Sequence, residues 1–465
     1  MNKMINMVEV LARLGENTID NSYRSLIDEW LSWYAGKVEK FHTYNVFNGI
    51  QQIGVHRASL GMAKTICEDW ANLLLNERVQ ITVDDERMQA ILDDVLKVNR
   101  FAVEGNRTVE AAFAGGTGAF SEWLDANGCI HIDYYDARAI YPLKWSGHKI
   151  TECAFASVEV MNGRKCLYLR MYKREDNGTQ HISNRWLDYD SGALLPTPEG
   201  IEAEVSTGIR TPLFQIITPN LNNNVETTNP MGLSVFANAI DALKAVDISF
   251  DSFKNEYMLG RKRLLVPMSM VQIQMQRDGS RTPIFDPNDL VFTAYEAGED
   301  TGEFRDLSPE IRAEQHITGL RAQLNMLSLK CGLGVGRYEF EKNGGVKTAT
   351  EVVSEQSDLY QSVCKHELVL RAALYGLVEA ICELSGFDAR DLIHITFDDS
   401  IIQDKTSIRT EAREEVAQGL MSKLRYLIDI RGMGEDEARQ ELEQIANEQR
   451  ITSGVIDFFN TEGAE

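Results

Sequence analysis

Apolar residues recur every three or four positions over much of the first hundred residues, the period of one helix face. Residues 22–76 carry this pattern. From Ser59 to Glu77 it is most regular, with Leu60, Ala63, Ile66, Cys67, Trp70 and Leu74 on one stripe of an amphipathic helix. Arg78–Val83 alternates instead, with Val79, Ile81 and Val83 on one side, which predicts a short strand. Helical spacing returns over Glu86–Val98, and a helix around Thr108–Ala114 is expected to stop at Gly115-Gly116.

The period then falls to two. Between residues 118 and 220, β-rich runs such as Ile130–Tyr134 and Cys166–Tyr172 alternate with turns. Asn127-Gly128, Asn162-Gly163 and Asn177-Gly178 each predict a hairpin, because both central residues of the tightest loop take positive φ. Three such hairpins in a row predict an antiparallel β unit packed against the helical N-terminal part.

At Asn229-Pro230 an N-cap precedes a pre-formed first turn. Phe236, Ile240, Leu243, Phe250 and Tyr257 then share one face as far as Gly260. The spacing predicts a helix of ~30 residues, ~45 Å long. Residues 264–307 read as a small β-containing insert: Leu264–Val271 is strand-like, Asp278-Gly279 is a turn, and Pro283 and Pro287 bracket an element before Leu290–Tyr295. A second helix is expected from Ser308-Pro309 through Ile311, Ile317, Leu320, Leu324 and Leu327 to Cys331-Gly332. Two long helices therefore run out and back around a compact insert.

Glycines 332, 334, 336, 344 and 345 predict a mobile loop over 332–347. Thr348–Glu351 fits a capping box for a third long helix, which continues to Ser385-Gly386. Its stripe is Val352, Leu359, Val363, Leu370, Leu374, Leu377 and Ile381. A strand at Leu392–Phe397 and two helices near 406–430 and 435–449 complete the chain, and no internal repeat appears.

Of the 465 residues, 43% are hydrophobic and 25% charged, which removes the disordered and fibrous classes. Lys and Arg number 47 against 70 Asp and Glu, a net charge of −23, so a protein that coats DNA through clustered cations is excluded. No apolar run approaches the ~18 residues of a membrane span. Met1–Val10 lacks a signal-peptide pattern. The seven cysteines contain no Cys-x-x-Cys and read as small buried hydrophobes of a reducing cytosol, so an intracellular protein is expected.

Catalytic chemistry is sought and not found. In Gly344-Gly345-Val346-Lys347-Thr348 a valine separates the lysine from its glycine, so the phosphate-loop pattern fails. Gly332-x-Gly334-x-Gly336 follows a helix, not a strand, so the dinucleotide fingerprint fails too. The eight histidines lack metal-ligand spacing. Asp84-Asp85, Asp93-Asp94 and Asp398-Asp399 read as solvated surface or helix starts rather than a two-metal nuclease. No active site, metal or cofactor is expected. Arg261-Lys262-Arg263 has two readings, favourable charge near a helix C-terminus or an interface role where helix meets insert.

The order of elements resembles the portal proteins of tailed bacteriophages, of the siphovirus type. Local segments carry the likeness: Leu60–Lys64, Cys67–Glu77, Ile284–Asp289, Lys330–Gly334, Lys347–Glu351 and Phe397–Ile401, in family order over roughly residues 20–450. The resemblance implies an α+β portal fold with a wing (1–228), a stem (229–260 and 309–331), a clip (261–308), a tunnel loop (332–347), a long tunnel helix with a return strand (348–403) and a helical crown (404–465). It implies a homo-oligomeric ring, usually of twelve copies, at one capsid vertex of the virion. Double-stranded DNA passes through it in packaging and ejection. The terminase large subunit and then a head–tail adaptor dock on it, the major capsid and scaffolding proteins surround it, and assembly occurs in the host cytoplasm without a membrane. The residues expected nearest DNA are Arg337, Lys342, Asn343 and Lys347, although a simple helix–helix connector is the other reading of this loop. The expected clip and stem interface residues are Arg261, Lys262, Arg263, Arg277, Asp278 and Arg281. An acidic channel wall would repel the duplex and keep it centred; solubility alone would also account for the charge. The competing readings are a non-portal ring or adaptor subunit, for which the chain is long, and a nucleotide- or nucleic-acid-processing enzyme.

Overall fold

The computed structural model describes residues 6–47, 49–76, 79–260, 262–267, 273–275, 281–283, 292–295, 305–307, 309–339, 349–388, 392–397, 412–434 and 437–445. Helices and sheets both contribute, an α+β protein as expected. By internal contacts the chain divides into Met1–Phe397 and Asp398–Glu465.

Helix α1 (Met7–Arg13) starts where Asn6 accepts from the Val8 amide, and it buries Met7, Val10 and Leu11. These residues pack with Tyr141, Ala154, Leu167, Leu169, Met171 and Leu187 of the β unit. Asp20 caps α2 (Asn21–Tyr34) by accepting from the Ser22 and Tyr23 amides, and Tyr23, Ile27, Trp30 and Trp33 line its buried face. After α3 (Glu39–His42) the chain departs from the helical expectation for 22–76. Strands β1 (Thr43–Phe47) and β2 (Gln52–His56) form an antiparallel hairpin. Thr43, Tyr44, Val46, Phe47, Ile53 and Val55 are β-branched or aromatic, and Gly49 has φ 94°, which suits the turn.

Helix α4 (Met62–Leu74) buries the expected Ala63, Ile66, Cys67, Trp70 and Leu74. Strand β3 (Gln80–Val83) and α5 (Glu86–Val98) follow, the latter with the expected boundaries. Helix α6 (Phe101–Gly115) is longer than the segment read from sequence and ends at Gly115-Gly116 as predicted.

The β unit contains β4 (Gly118–Leu124), β5 (Ile130–Asp136), β6 (Ile140–Ser146), β7 (Lys149–Met161), β8 (Arg164–Arg174), β9 (Gln180–Asp188), β10 (Leu194–Leu195), β11 (Glu204–Ser206) and β12 (Phe214–Ile217). One sheet has the order β12-β4-β5, the other β10-β9-β8-β7-β6, with β11 also on β9. The sheets meet through Phe155, which stacks on Tyr135 at 4.5 Å and touches Tyr172 and Phe214 edge-on. All three Asn-Gly pairs lie between paired strands. Only Asn162-Gly163 has both residues at positive φ; at the other two only the glycine does. There the turn is one residue wider, closed by Asp125 with Cys129 and Gly128, and by Glu175 with Thr179 and Gly178.

Residues 229–236 are not helical, contrary to expectation. Asn229 accepts from Met231 N in a local turn, and the next amides bond to other elements: Gly232 N to Thr117 Oγ1 and Val235 N to Phe113 O. A Cβ on Gly116 would lie 2.3 Å from Gly232 O, so the two backbones cross where only glycine fits. The helix α7 therefore spans Ile240–Leu259, twenty residues, after a short 3₁₀ turn at Ala237–Ala239.

The insert carries β13 (Leu264–Pro267), β14 (Ile273–Met275), β15 (Arg281–Pro283), β16 (Phe292–Tyr295) and β17 (Arg305–Asp306). β13 runs parallel to β16 and antiparallel to β17, and β14 pairs with β15. Helix α8 (Ala313–Lys330) starts later than the Ser308-Pro309 signal, and α9 (Ala349–Leu384) runs as predicted. Strand β18 (Ile393–Thr396) returns antiparallel to β3. α9 packs on β4, β12 and α4, and its Gly376 lies against Gln215. In the second unit, residues 412–417, Lys423–Arg425 and 437–445 are helical, with a π turn at Tyr426–Ile430.

Candidate functional site

The helix pair and its insert are organised from two ends. At one end Glu256 of α7 accepts from Arg312 Nε at 3.0 Å, Nη2 at 2.9 Å and the Arg312 amide, and His316 stacks on Phe253 at 5.5 Å. These hydrogen bonds hold the Glu256 carboxyl well below the usual range. They join the end of α7 to the start of α8, so the helices are antiparallel. At the same end Leu307 N donates to Arg263 O, and Leu264 faces Asp306, so the insert leaves and returns at one point. Within the helices the buried positions are Leu243, Val246, Asp247 and Asp251 on α7, and Leu320, Leu324, Leu327 and Ser328 on α8. The expected stripe positions Leu243, Leu320, Leu324 and Leu327 are buried, whereas Tyr257 is exposed and two aspartates join the buried face.

Those aspartates fix α7 to the N-terminal part. Asp247 accepts from Leu60 N at 2.8 Å and sits 3.0 Å from His42 Nε2. Asp251 accepts from Ala58 N at 2.9 Å and from Lys254 and Asn255. Val38 N donates to His42 Nδ1, which leaves the ring proton on Nε2, facing Asp247. Nothing in the residue pattern marked this latch, because an aspartate's burial depends on the amides that meet it.

Residues 332–339 of the glycine-rich segment make defined turns, where the sequence suggested mobility. Gly332, Gly334 and Gly336 take φ of 79°, 76° and 82° in successive turns. Leu333 N returns to Ser328 O and Gly336 N to Asn325 Oδ1. Arg337 Nε lies 3.3 Å from Asp69 Oδ2, and the Tyr338 hydroxyl donates to the same oxygen at 2.9 Å. Burial and the Asp69 charge raise the Tyr338 pKa. Lys342, Asn343 and Lys347 lie outside the described residues. So do Arg261, Arg277 and Asp278. Lys262 and Arg263 are exposed beyond the Gly260 cap, outside the last turn of α7, and Arg281 stands opposite Met275 in the β14–β15 pair.

A cavity of about 1000 Å³ lies between the sheets of the β unit. Arg170 is pinned in it between the Trp123 and Tyr168 rings, 2.6 Å from Asp133 and 3.0 Å from the Tyr168 hydroxyl. The cation is spent on the fold itself, and among the other lining residues the Ser157 hydroxyl donates to Glu159 Oε1 at 3.2 Å. The acid pairs behave as helix and strand furniture: Asp85 caps α5 and Asp84 meets His394. Asp398 and Asp399 lie outside the described residues. Among the described residues no group of His, Cys, Asp and Glu is placed to hold a metal ion, and no helix is long and apolar enough to cross a membrane.

Comparison with known families agrees with the order of elements. Residues 16–454 match the family described as phage portal protein, SPP1 Gp6-like, a family of structural proteins. No curated protein matches the chain at a significant level. A match of this extent, over a helix pair that carries a β insert and a long third helix, shows that the chain belongs to the phage portal protein family and is a portal subunit.

Proposed function

We propose that copies of this chain form a ring channel at one capsid vertex, through which double-stranded DNA enters in packaging and leaves in ejection. In this reading α7 and α8 are the stem, the 261–308 insert is the clip that meets the terminase large subunit and later the head–tail adaptor, and residues 1–228 are the wing. α9 with the preceding segment lines the tunnel, and 404–465 form the crown, next to capsid and scaffolding proteins. The observation that carries the reading is the α7–insert–α8 unit within a chain matched to the portal family almost end to end. A ring needs a shared apolar surface, and this pair leaves Ile248, Met258, Leu259, Ile317, Met326 and Leu329 exposed. The insert's strands are two to four residues long, so pairing with a neighbouring copy would stabilise them.

Lys342, Asn343 and Lys347 are the residues we place nearest to passing DNA. The Arg337–Asp69 pair supports an anchoring role for Arg337 at the base of the loop. An acidic chain with a few cations at a loop tip can touch phosphate without holding it. The test has three parts. Native mass and negative-stain imaging of the purified chain should give a closed ring, with twelve copies expected. Deleting 265–305 should abolish assembly or motor docking and leave a soluble chain. Lys342→Glu with Lys347→Glu should keep rings and lower packaged DNA. Unchanged phage yield and packaged length in that variant would reduce the loop to a connector.

A further inference from the structure

The β1–β2 hairpin is largely exposed. Its residues are exposed except Tyr44 and Val55, which are half-buried. Val46, Phe47 and Ile53 are 44%, 61% and 40% exposed, and Ile50 at the turn is 88% exposed. Among the described residues neither strand has a second strand beside it. From Thr43 to Val55 there is no Asp, Glu, Lys or Arg, in a chain that is 25% charged. A lone two-stranded hairpin is marginal in water, and a neutral apolar edge is a template for association. The root of the hairpin is firm nonetheless. The Arg57 guanidinium lies 4.3 Å over the Phe41 ring and 4.7 Å over Tyr44, Arg57 N donates to His42 O at 2.7 Å, and His42 faces Asp247 on α7. A fixed base with a bare, uncharged arm is the form of an interface element.

We propose that the hairpin at 43–56 is an intersubunit arm that packs on a second copy of this chain, against exposed apolar residues of that copy's α7–α8 pair. The inference rests on the ring reading above and names a surface that holds the ring together. Charge decides the occupant. DNA is excluded because phosphate binding needs cations and the arm has none. A basic protein would be drawn to the acidic surface of the chain, not to an uncharged hairpin. Two copies that each carry −23 repel wherever their charges meet, so their contact is favoured through a neutral surface. The same chain leaves apolar residues in water on this helix pair, Ile248 and Leu259 on α7 and Met326 and Leu329 on α8. Joining an arm on one copy to a different face on the next makes a head-to-tail contact, the kind that closes into rings.

The test is Phe47→Glu with Ile53→Glu in the full chain, followed by sedimentation and native mass. The wild type should assemble, and the double variant should need at least about tenfold more protein to do so. Far-ultraviolet circular dichroism of the subunit should not change, because both side chains face water in the single chain. Phe47→Leu with Ile53→Val should assemble like the wild type. A photoreactive amino acid at position 47, in mixed isotope-labelled copies, should cross-link to residues 240–259 or 313–330 of another copy. Normal rings in the Glu variant, or cross-links confined to one chain, would overturn the arm and leave the ring reading standing. A wild type that never assembles would remove both. If the Glu variant does not fold, the cross-link in the otherwise native chain decides.

Discussion

Removing the Asp247 carboxylate tests whether α7 is latched to the N-terminal part or merely lies against it. Asp247 is 4% exposed. Its Oδ1 takes the Leu60 amide at 2.8 Å and its Oδ2 takes His42 Nε2 at 3.0 Å. Asp247→Ala leaves both donors without an acceptor. His42 cannot move its proton to escape, because Nδ1 already receives the Val38 amide at 3.0 Å. An unpaired buried donor costs about 1–3 kcal/mol, so the two together should remove about 3–5 kcal/mol of unfolding free energy, the range found when one side of a buried pair is deleted. Asp247→Asn keeps the shape but puts an NH₂ against one of the two donors. It should cost about 1–3 kcal/mol, less than alanine. The assay is urea unfolding at protein concentrations below assembly, followed by tryptophan fluorescence, since Trp33 lies 5.8 Å from the His42 ring. A double-mutant cycle with His42→Ala should give a coupling of at least about 1 kcal/mol. A loss under about 1 kcal/mol for Asp247→Ala would refute the latch, since burial without consequence means that water already reaches those donors.

Other outcomes follow from groups buried elsewhere in the fold. His366 lies against Trp70 and Phe113, and burial holds its pKa down at about 3. Between about pH 6.5 and 3 the unfolded chain binds a proton that the folded chain refuses, so stability falls as pH drops, and His366→Gln should flatten that slope by about 1.4 kcal/mol per pH unit in acid unfolding curves. Glu122 has no partner for either carboxyl oxygen among the described residues, and burial raises its pKa well above the usual value. The folded state keeps a proton that the unfolded chain gives up, so stability is lost as pH rises, and Glu122→Gln should stabilise by about 1–3 kcal/mol at pH 8 and by little at pH 4. Equal effects at both values would count against a protonated carboxyl. Gly116→Ala puts a Cβ 2.3 Å from Gly232 O at a φ of 85° and should cost about 3 kcal/mol or more, read as a fall in melting temperature and soluble yield.

Elements that answer to their own sequence were legible. α5 has its cap at Asp85, and its helical spacing runs to Val98 without a competing signal. α9 keeps Val363, Leu370, Leu374, Leu377 and Ile381 buried along one stripe. The hairpin at 43–56 was not read, although Asn48-Gly49 marks it, because its apolar residues also fit helical spacing when taken with their neighbours. The 229–236 segment looked like a helix start for a similar reason. Asn-Pro is compatible with a cap, and only the approach of Phe113 O and Thr117 Oγ1 diverts the amides.

The α7–α8 pair shows that a stripe finds the buried face but not every residue on it. Its sequence holds more apolar positions than one chain covers. Leu243, Val246, Leu320, Leu324 and Leu327 are buried, whereas Tyr257, Met258, Leu259, Ile317, Met326 and Leu329 stay in water beside buried Asp247 and Asp251. A helix that hides carboxylates and shows leucine is inverted for a protein that works alone, since exposing that much apolar surface is unfavourable and the buried acids need partners to repay their desolvation. The inversion resolves if the inner face is a polar joint to the body of the same chain and the outer face meets another copy. On that view the aspartates set where α7 sits, and the exposed apolar residues set what it meets, so substitutions at Asp247 should act first on subunit stability and those at Met326 or Leu329 first on assembly.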